Sequence, residues 1–549
     1  MTEPNKKNAA SPIAAAAIPV DQRTERLNTK AAGIIGLAVM CSRLLGLARE
    51  LIFAALFGGG LALDAFTVAF RIPNLLRDLF AEGALSTAFV TTFSKTIARG
   101  GDAAAWRLAN KVATMTALCL SVICIAGMVF SSSLVGILAP GFDADKAALT
   151  AHLTRIMFPF ILLVSLAALV MGMLNAKNVF GMPAMASSFF NLGSIIGGVI
   201  LGYWIDPHFG LRALIGLAFA TVIGGALQLV VQLPSLRHLG YRFRPDFGWR
   251  DPGVKAILLL MGPAVIAAST TQFNVLVNSV FASSLENGAI FWLAAAFRLM
   301  QLPLGVFGVA LGTVTLPLLS RLVVAGRMDA FRSELSRAMR LAFLLTIPST
   351  IGLMMLAEPI ISLLYQHGKF DAYQAAQTAG ALRFYAIGLA GYAALKVLVN
   401  AFYALDRRKT PMLVSFAAVA LNLLLNWIFT VRLPWGHRGL AFSTGCIATF
   451  NFLFLYVLMR AQLKGLESRR LLVLLVKIAA ASLALIAVCA GSSHWLLAHW
   501  QTQAFMVNFA ALFGTIVVGA LGFTACGVLL HIEELKDLRG AVLRRLRRE

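Results

Sequence analysis

Charge is scarce in this sequence. Only 13% of its 549 residues are Asp, Glu, Lys or Arg, 59% are hydrophobic, and the mean hydropathy is +0.81. Soluble domains carry about 25% charged residues, so this composition excludes an ordinary soluble protein. Apolar stretches long enough to span a bilayer, about 20 residues each, recur from 32–57 to 503–531. We therefore predict an all-α polytopic membrane protein with about fourteen transmembrane helices.

Groups that bind metals or perform catalysis are also few and dispersed. The six cysteines lie in apolar stretches without metal-like spacing, and the eight histidines lie near span ends or in loops. Neither a disulfide nor a metal cluster is expected. The absence of paired catalytic carboxylates and of a His–Asp pair argues against an intramembrane enzyme acting on polyprenyl phosphates. A structural scaffold, in turn, would not need arginines at mid-membrane.

Acidic residues are outnumbered by basic ones, 24 to 47, which gives a net charge of +23. Most of the basic residues lie in the two tails and in alternate loops, whereas the opposite loops hold only Lys146, Arg212, Lys369, Arg432 and Arg438. This is the positive-inside pattern, and it predicts that both termini are cytoplasmic. The pattern argues against nucleic-acid binding. Residues 1–30 lack the apolar core of a signal peptide and are predicted to be a disordered cytoplasmic extension.

Short sequence motifs of the first half of the chain recur in the second half at a nearly constant offset. This offset aligns Pro183 with Pro411. Three local matches carry the repeat: AFRIP (69–73) with AFRLM (296–300), NAKNVFGMPA (175–184) with YALDRRKTPM (403–412), and HFGL (208–211) with HRGL (437–440). Such matches indicate a duplication. We predict an N-lobe at 31–240 and a C-lobe at 241–465, each of six helices in the same orientation. Residues 466–549 add two helices and a basic tail. Two facing bundles are typical of an alternating-access transporter.

Charges are concentrated in the first two predicted helices. Helix 1 carries Arg43, Arg49 and Glu50, and helix 2 carries Arg71, Arg77, Asp78 and Glu82, with Asp64 at its outer end. Each such charge at mid-bilayer costs at least ~2.5–3.5 kcal/mol. These side chains must therefore line an aqueous cavity, pair with one another, or do both. We expect Asp78 and Glu82 to orient Arg77.

The arginines suit an anionic ligand. At 100° per residue, Arg71, Asp78 and Glu82 fall on one side of helix 2, and Pro73 predicts a kink there. Guanidinium groups bind phosphate or carboxylate in a bidentate manner, which an ammonium cannot do. Arg298 has no acidic residue in its own span. We therefore expect Arg298 to be the unpaired, ligand-seeking charge.

The charged motifs resemble those of a known family. SRLLGLARE (42–50), LDAF (63–66), PNLLRDLFAEGALSTAFV (73–90), FRLMQLPLGVFGVALGTVTLP (297–317) and FYALDRRKTP (402–411) are similar to the signatures of the MurJ/MviN family. This family comprises bacterial flippases for lipid II, the undecaprenyl-diphosphate-linked peptidoglycan precursor, and belongs to the MATE-like exporter superfamily. The resemblance covers the chain beyond about residue 30.

The resemblance implies a function and a site. It implies that lipid II is moved from the inner to the outer leaflet of the bacterial cytoplasmic membrane for peptidoglycan synthesis. It implies lipid II, the bilayer and proteins of cell-wall synthesis and division as partners of a monomer. The implied substrate-binding residues are Arg43, Arg49, Arg77 and Arg298, with Asp64, Arg71 and Glu82 as supporting cavity charges. The alternative function is an ion-coupled drug or polysaccharide exporter of the same superfamily.

The sequence departs from the family at two places. Acidic residues that flank the helix 8 arginine in many relatives are Phe297 and Gln301 here. Some relatives bind Na⁺ in the C-lobe, and the nearest positions here are Asn278, Asn422, Asn426 and Thr444. A cage without carboxylates would bind Na⁺ weakly, and asparagines that bond between helices are an equally good interpretation. No cofactor is expected other than this candidate Na⁺, and membrane potential is the expected driving force.

Overall fold

A computed structural model describes residues 29–78, 85–496 and 504–535 of the chain. All the regular structure in these ranges is helical. Glu82, one of the predicted cavity charges, and the extension 1–28 lie outside the described residues.

An N-terminal helix group precedes residue 240. It consists of α1 (Thr29–Phe57), α2 (Leu61–Arg77), α3 (Ser86–Val129), α4 (Ser131–Leu138), α5 (Ala144–Met157), α6 (Pro159–Ala176), α7 (Gly181–Ile205), a 3₁₀ turn (Leu211–Ala213), α8 (Leu214–Val230) and α9 (Leu233–His238). Helix α3 contains a break at Gly101, where φ is 68°. Helix α7 packs against α1 and α8, α6 packs against α3 and α8, and α5 packs against α2.

A C-terminal helix group follows. It consists of α10 (Pro252–Ser283), α11 (Ala289–Pro303), a π-helical turn (Leu304–Gly308), α12 (Val309–Val324), α13 (Met328–Met355), α14 (Ala357–Tyr365), α15 (Ala372–Ile387), α16 (Leu389–Ala404), α17 (Lys409–Trp427), a second π-helical turn (Ile428–Arg432) and α18 (Gly436–Gln462). Helix α15 packs against α11 and α18, α16 packs against α13 and α18, and α10 packs against α17. Two further helices, α19 (Ser468–Trp495) and α20 (Phe505–Leu529), pack against each other, and α19 lies along α13.

The helices account for the predicted spans. Within the described ranges, ten helices are long and apolar enough to cross a membrane, and the pair α15 and α16, bent by 41°, makes an eleventh. The remaining three predicted spans correspond to α1, α2 and α10. The predicted all-α polytopic class is therefore confirmed.

Helix starts repeat at the offset found in the sequence. Leu61, Ala144 and Gly181 begin α2, α5 and α7, and the same offset leads to Ala289, Ala372 and Lys409, where α11, α15 and α17 begin. The caps repeat as well. Asp143 accepts the Lys146 N–H at 2.8 Å, and Asp371 accepts the Gln374 N–H at 2.8 Å. Carboxylates that accept free N–H groups define helix starts, so the repeated start of α5 and α15 has the same chemical origin.

Proline and glycine break the helix that carries Arg298. Helix α11 ends at Pro303 and continues through the π turn into α12. Proline cannot donate the next backbone hydrogen bond, and π turns commonly mark functional sites. Gly305 lies inside this turn, directly opposite α1, as described below.

Candidate functional site

Asp64 closes one end of the interface between the helix groups. Its carboxylate is 1% exposed and accepts the N–H groups of Gly288 at 2.7 Å and Phe291 at 2.9 Å. These N–H groups lie at the start of α11, where backbone donors lack partners within the helix and the dipole favours a negative charge. Following the orientation predicted from the charge pattern, we call this the outer end of the interface.

Lys146 completes this contact. Its Nζ atom lies 3.0 Å from Asp64 Oδ2 and donates to Asn287 Oδ1 at 2.8 Å. Lys146 is 4% exposed, so both charges of the pair are buried. Removing one partner of such a pair costs ~3–5 kcal/mol. Asp64, expected as a supporting cavity charge, is paired in this conformation, because its oxygens are taken by Lys146 and by the start of α11.

The contacts at the outer end join residues that are equivalent under the internal repeat. The Gly59 N–H donates to Gln374 Oε1 at 2.7 Å. The repeat offset relates Gly59 to Asn287 and Lys146 to Gln374, and Lys146 and Asn287 form the 2.8 Å contact just described. The contact between Lys146 and Asn287 is therefore equivalent, under the repeat, to the contact between Gln374 and Gly59. Such an exchange is expected for two similar halves related by a pseudo-twofold axis.

A second reciprocal pair lies beside the first. The Lys369 N–H donates to the Ala55 carbonyl at 2.8 Å, and the Gly141 N–H donates to Ser283 Oγ at 3.1 Å. The same offset relates Ala55 to Ser283 and Gly141 to Lys369. Helices pack in the same exchanged manner, α1 against α14 and α10 against α4. The outer end is thus closed by equivalent contacts on both sides of the axis.

Arg298 lies deeper in the interface and bonds to α1. Its Nη1 atom lies 2.7 Å from Glu50 Oε2 and 3.3 Å from the Gly46 carbonyl. Tyr365 from α14 donates to the other Glu50 oxygen at 2.7 Å. The expectation that Arg298 is unpaired is wrong, because its acidic partner comes from a helix of the other group, far earlier in the chain. The Arg298 side chain nevertheless remains 41% exposed.

Arg49 contributes a second guanidinium beside this pair. The charges that act on it most strongly are those of Arg298, Glu50 and Arg77. Its guanidinium carbon lies 5.1 Å from the ring centre of Phe190 and 6.0 Å from that of Phe70. Aromatic faces attract a cation without neutralising it. Arg49 is therefore positioned by stacking and keeps its positive charge.

Arg43 approaches the π turn of the C-terminal group. A Cβ atom built on Gly305 would collide with Arg43 Nη1, so the guanidinium occupies the space that the glycine leaves free. Arg43 is exposed to solvent in part and is repelled by the charge of Lys396 on α16. Within the described residues neither side chain has an ion-pair partner. Both side chains lie against the π turn, Arg43 at Gly305 and Lys396 at Gly308, so an anion bound near this turn would be stabilised by both charges.

Arg77 and Arg71 differ from the other arginines in their surroundings. Arg77 lies 2.9 Å from Asp78, as the sequence predicted, and Asp78 also accepts from Gln272 on α10 at 3.4 Å. Arg71 donates to Ser279, a fully buried residue of α10. Arg71 thus connects α2 directly to α10, whereas Arg77 is held by Asp78, which makes the second link to α10.

The four polar residues considered for Na⁺ are brought together, mostly by bonds among themselves. Asn426 Nδ2 donates to Asn278 Oδ1 at 2.7 Å, and Asn278 Nδ2 donates to Thr444 Oγ1 at 3.3 Å. Asn422 Nδ2 donates to Asn274 at 2.8 Å. Among these four side chains, only the buried Asn426 Oδ1 is without a partner in the described chain. The bonds observed here are those of polar residues that link neighbouring helices, and these four side chains offer only neutral oxygens to a cation.

Sequence reasoning missed three participants in the interface. Lys146 and Gln374 form the outer contacts, and Lys396 accompanies Arg43. A signal existed for Lys146, which is one of only five basic residues in the predicted outer loops. Lys396 could also have been singled out, because a lysine within an apolar span is a candidate functional residue.

Comparisons with known proteins agree with this architecture. The family model described as "Lipid II flippase MurJ" matches residues 53–513. A relative named lipid II flippase MurJ from Burkholderia cenocepacia is 37% identical over 83% of this chain and 87% of its own length. A probable lipid II flippase MurJ from Vibrio cholerae is 32% identical over 92% of this chain and 97% of its own.

Solved structures show the same fold. A structure of lipid II flippase MurJ in an inward closed conformation has a TM-score of 0.73 and 25% identity, covering 92% of this chain and 99% of that one. An inward-facing multidrug resistance MATE family transporter has a TM-score of 0.65 at 14% identity, covering 79% of this chain and 98% of that one, which shows the fold alone. Because the family model and the curated relatives match it over most of its length, the chain belongs to the lipid II flippase MurJ family.

Proposed function

We propose that this protein is a flippase that moves lipid II from the inner to the outer leaflet of the bacterial cytoplasmic membrane for peptidoglycan synthesis. It would act as a transporter and not as an enzyme, as a monomer with both termini in the cytoplasm. The proposal draws on the family membership, on the names of the relatives and on the arginines at the interface. A drug or polysaccharide exporter has no comparable support, because the MATE likeness concerns the fold alone.

The Arg298–Glu50 pair is the observation that carries the proposal. A diphosphate is a dianionic ligand that can replace the Glu50 carboxylate on the Arg298 guanidinium, and Arg298 is exposed enough to be reached. Arg49 lies beside the pair with its charge retained, while Arg43 and Lys396 add two cations that have no ion-pair partner among the described residues. Guanidinium groups bind phosphate oxygens in a bidentate manner. The Glu50 carboxylate would keep the Arg298 guanidinium in position until substrate binds.

Substrate exchange would free Glu50 and loosen the contact between α1 and α11. The pair spans the two helix groups, so a ligand that separates Glu50 from Arg298 favours a different arrangement of the groups. Opening the outer end would then require Asp64 and Lys146 to leave α11. The two reciprocal contact pairs imply that both sides of the axis open together.

Membrane potential is the proposed source of energy. The support for this proposal is that the Asn278–Asn426 cluster offers neutral oxygens without a carboxylate, which is a weak ligand set for Na⁺. Moving one charge through 100 mV supplies ~2.3 kcal/mol, enough to bias the resetting of a carrier that holds cations such as Arg43 and Lys396 at its interface.

The direct test follows lipid II in living cells. Cells depleted of the protein should retain labelled lipid II in the inner leaflet, where an externally added hydrolase that cleaves lipid II cannot reach it. Restoring the protein should return the label to external cleavage. Depleted cells that expose lipid II normally would contradict the proposal, and export of a drug or polysaccharide by the same cells would favour the alternative.

A further inference from the structure

A cavity of about 430 Å³ lies away from the arginines of the interface, between the end of α20 and the start of α19. Helix α13 closes its inner side through Arg340. According to the charge pattern of the sequence, this cavity lies on the cytoplasmic face of the membrane. It has no part in the substrate path described above.

The acidic groups at the wall of the cavity are largely used by one arginine. Arg340 is 12% exposed and lies 2.6 Å from Glu534 and 2.8 Å from Glu467. Glu467 also pairs with Arg470 at 3.3 Å. Glu533 at the rim is exposed to solvent. Because Glu534 is bound by Arg340, and Glu467 by Arg340 and Arg470, the electrostatic character of the cavity depends on its remaining basic residues and on Glu533.

Two of those basic residues have capacity left for a ligand. Arg469 is exposed and forms no ion pair within the described residues. Lys477 lies further along α19 and donates one hydrogen bond, to the His531 carbonyl at 3.0 Å. An ammonium has three donors, so two remain unused within the described residues. The cavity thus offers a guanidinium at its mouth and an ammonium deeper along the helix.

The same stretch of α19 is apolar towards the outside. Leu472, Val473 and Val476 are 65%, 47% and 62% exposed, and Val473 also lines the cavity. In a membrane these side chains lie against lipid tails. A long basic side chain among them extends towards the headgroup region. Cations that adjoin an apolar strip fit an amphiphile with an anionic headgroup better than a soluble anion.

We propose that this cavity binds the phosphate of an anionic phospholipid, such as phosphatidylglycerol, from the leaflet on its side of the membrane. Arg469 and Lys477 would hold the phosphate, and the acyl chains would lie along Leu472 and Val476. The bound lipid would connect the α19–α20 hairpin to α13 through the Arg340 cluster. The inference does not depend on the identity of the transported substrate.

The test measures thermal unfolding of the full-length protein in a neutral detergent. Short-chain phosphatidylglycerol should raise the Tm in a saturable manner, whereas phosphatidylcholine with the same chains should not, because binding to the folded state stabilises it. Glycerol phosphate and inorganic phosphate should have little effect at the same concentrations. Equal shifts with both lipids, or a shift with glycerol phosphate that matches that of the lipid, would overturn the proposal.

Variants locate the effect. Arg469→Gln with Lys477→Gln should raise the half-saturating phosphatidylglycerol concentration about thirtyfold, as expected for two basic residues near a membrane surface. Arg469→Lys with Lys477→Arg should restore most of the binding. The matched control is Arg321→Gln with Arg327→Gln, two basic residues predicted on the same face of the membrane. It should leave the half-saturating phosphatidylglycerol concentration unchanged. If the double variant fails to fold, Arg469→Gln alone serves, because this side chain is exposed. Unchanged binding in these variants would refute the site.

Discussion

Glu50 and Arg298 show at the residue scale how a membrane protein can keep a charged site ready. Glu50 is 9% exposed and is held by Arg298 and by the Tyr365 hydroxyl. An unpaired carboxylate at this depth would be costly, and an unpaired arginine would be too. Pairing removes most of that cost, while the 41% exposure of Arg298 leaves it accessible to a competing anion.

Arg298→Ala should abolish lipid II movement, and Arg298→Lys should restore it only in part. The reason is that lysine keeps the charge but lacks the bidentate fork. The measurement is complementation of a depletion strain, with the membrane level of each variant determined beside growth. Loss of the Arg298 side chain leaves Glu50 with the Tyr365 hydroxyl as a remaining donor, so we expect destabilisation by less than the ~3–5 kcal/mol of a buried pair broken without such a donor. Growth of Arg298→Ala at normal protein level would show that Arg298 is not a substrate ligand.

Gly305→Ala tests the position of Arg43. The added methyl group would collide with Arg43 Nη1, and the end of a flexible side chain can move away at little cost in stability. We expect normal membrane levels and a clear loss of transport, because the guanidinium is displaced from the interface. Gly262→Ala is the matched control, since nothing lies within 4 Å of its added methyl group. Equal transport by the two variants would argue against a role for the position of Arg43.

At the scale of the element, the start of α11 is completed by a residue of another helix group. Its first N–H groups are bound by the Asp64 carboxylate of α2. A helix start ordinarily finds its cap within its own chain segment. Here Asp64 is withdrawn from α11 when the helix groups separate. Closure of the outer end and hydrogen bonding of the first N–H groups of α11 therefore occur together.

Asp64→Asn should weaken the outer closure. Asparagine keeps an oxygen for the N–H groups but leaves the buried Lys146 without its counter-charge, which is strongly unfavourable. We expect a lower Tm and faster labelling of a cysteine placed at Asn287 by a membrane-impermeant reagent. Adding Lys146→Met should recover much of the lost stability, because it removes the uncompensated charge. If the double variant is no more stable than Asp64→Asn, the ion pair does not set the closure.

At the scale of the whole molecule, the outer contacts are exchanged between two similar halves. Lys146 with Asn287 and Gln374 with Gly59 are equivalent contacts on the two sides of one axis. If a ligand separates the helix groups on one side of the axis, the equivalent contact on the other side can no longer form. Two interfaces that open together behave as one two-state element, which is what alternating access requires.

Cross-linking either side should arrest the whole cycle. The variants are Lys146→Cys with Asn287→Cys and Gly60→Cys with Gln374→Cys, each treated with a short, reducible, thiol-specific cross-linker. The Gly60 position has room, since its added Cβ would lie 3.9 Å from Gln374. We expect lipid II movement to stop in both and to return after reduction. Single-cysteine variants treated alike are the control, and normal transport by a cross-linked pair would contradict coupled opening.

The driving force is also a property of the whole molecule. Replacing Na⁺ by K⁺ at constant membrane potential should leave lipid II movement unchanged, whereas collapsing the potential at constant Na⁺ should stop it. The measurement is external cleavage of labelled lipid II in intact cells under each condition. Loss of movement on Na⁺ removal alone would mean that the Asn278–Asn426 cluster, or another site, binds the cation after all.

The helices, their number and the duplication were determined by the sequence alone. Apolar length predicts a span because every backbone polar group in a bilayer must be bonded within the segment. The repeat survives as matched local motifs, and the helix starts at Leu61 and Ala289 keep its offset. That the arginines of the first two helices contact protein groups could be predicted for a related reason, since a charge facing lipid at mid-membrane is costly whichever partner would otherwise bind it.

Only the tertiary structure decided the pairing of these charges. Arg298 was expected to be unpaired because its own span lacks an acid, yet Glu50 reaches it from α1. Asp64 was expected in a cavity, yet it caps α11 and binds Lys146. In both pairs the partners lie far apart in the chain, and local sequence does not specify which faces of distant helices meet. Helix packing brings them together, and the low dielectric of the interface makes that pairing energetically decisive.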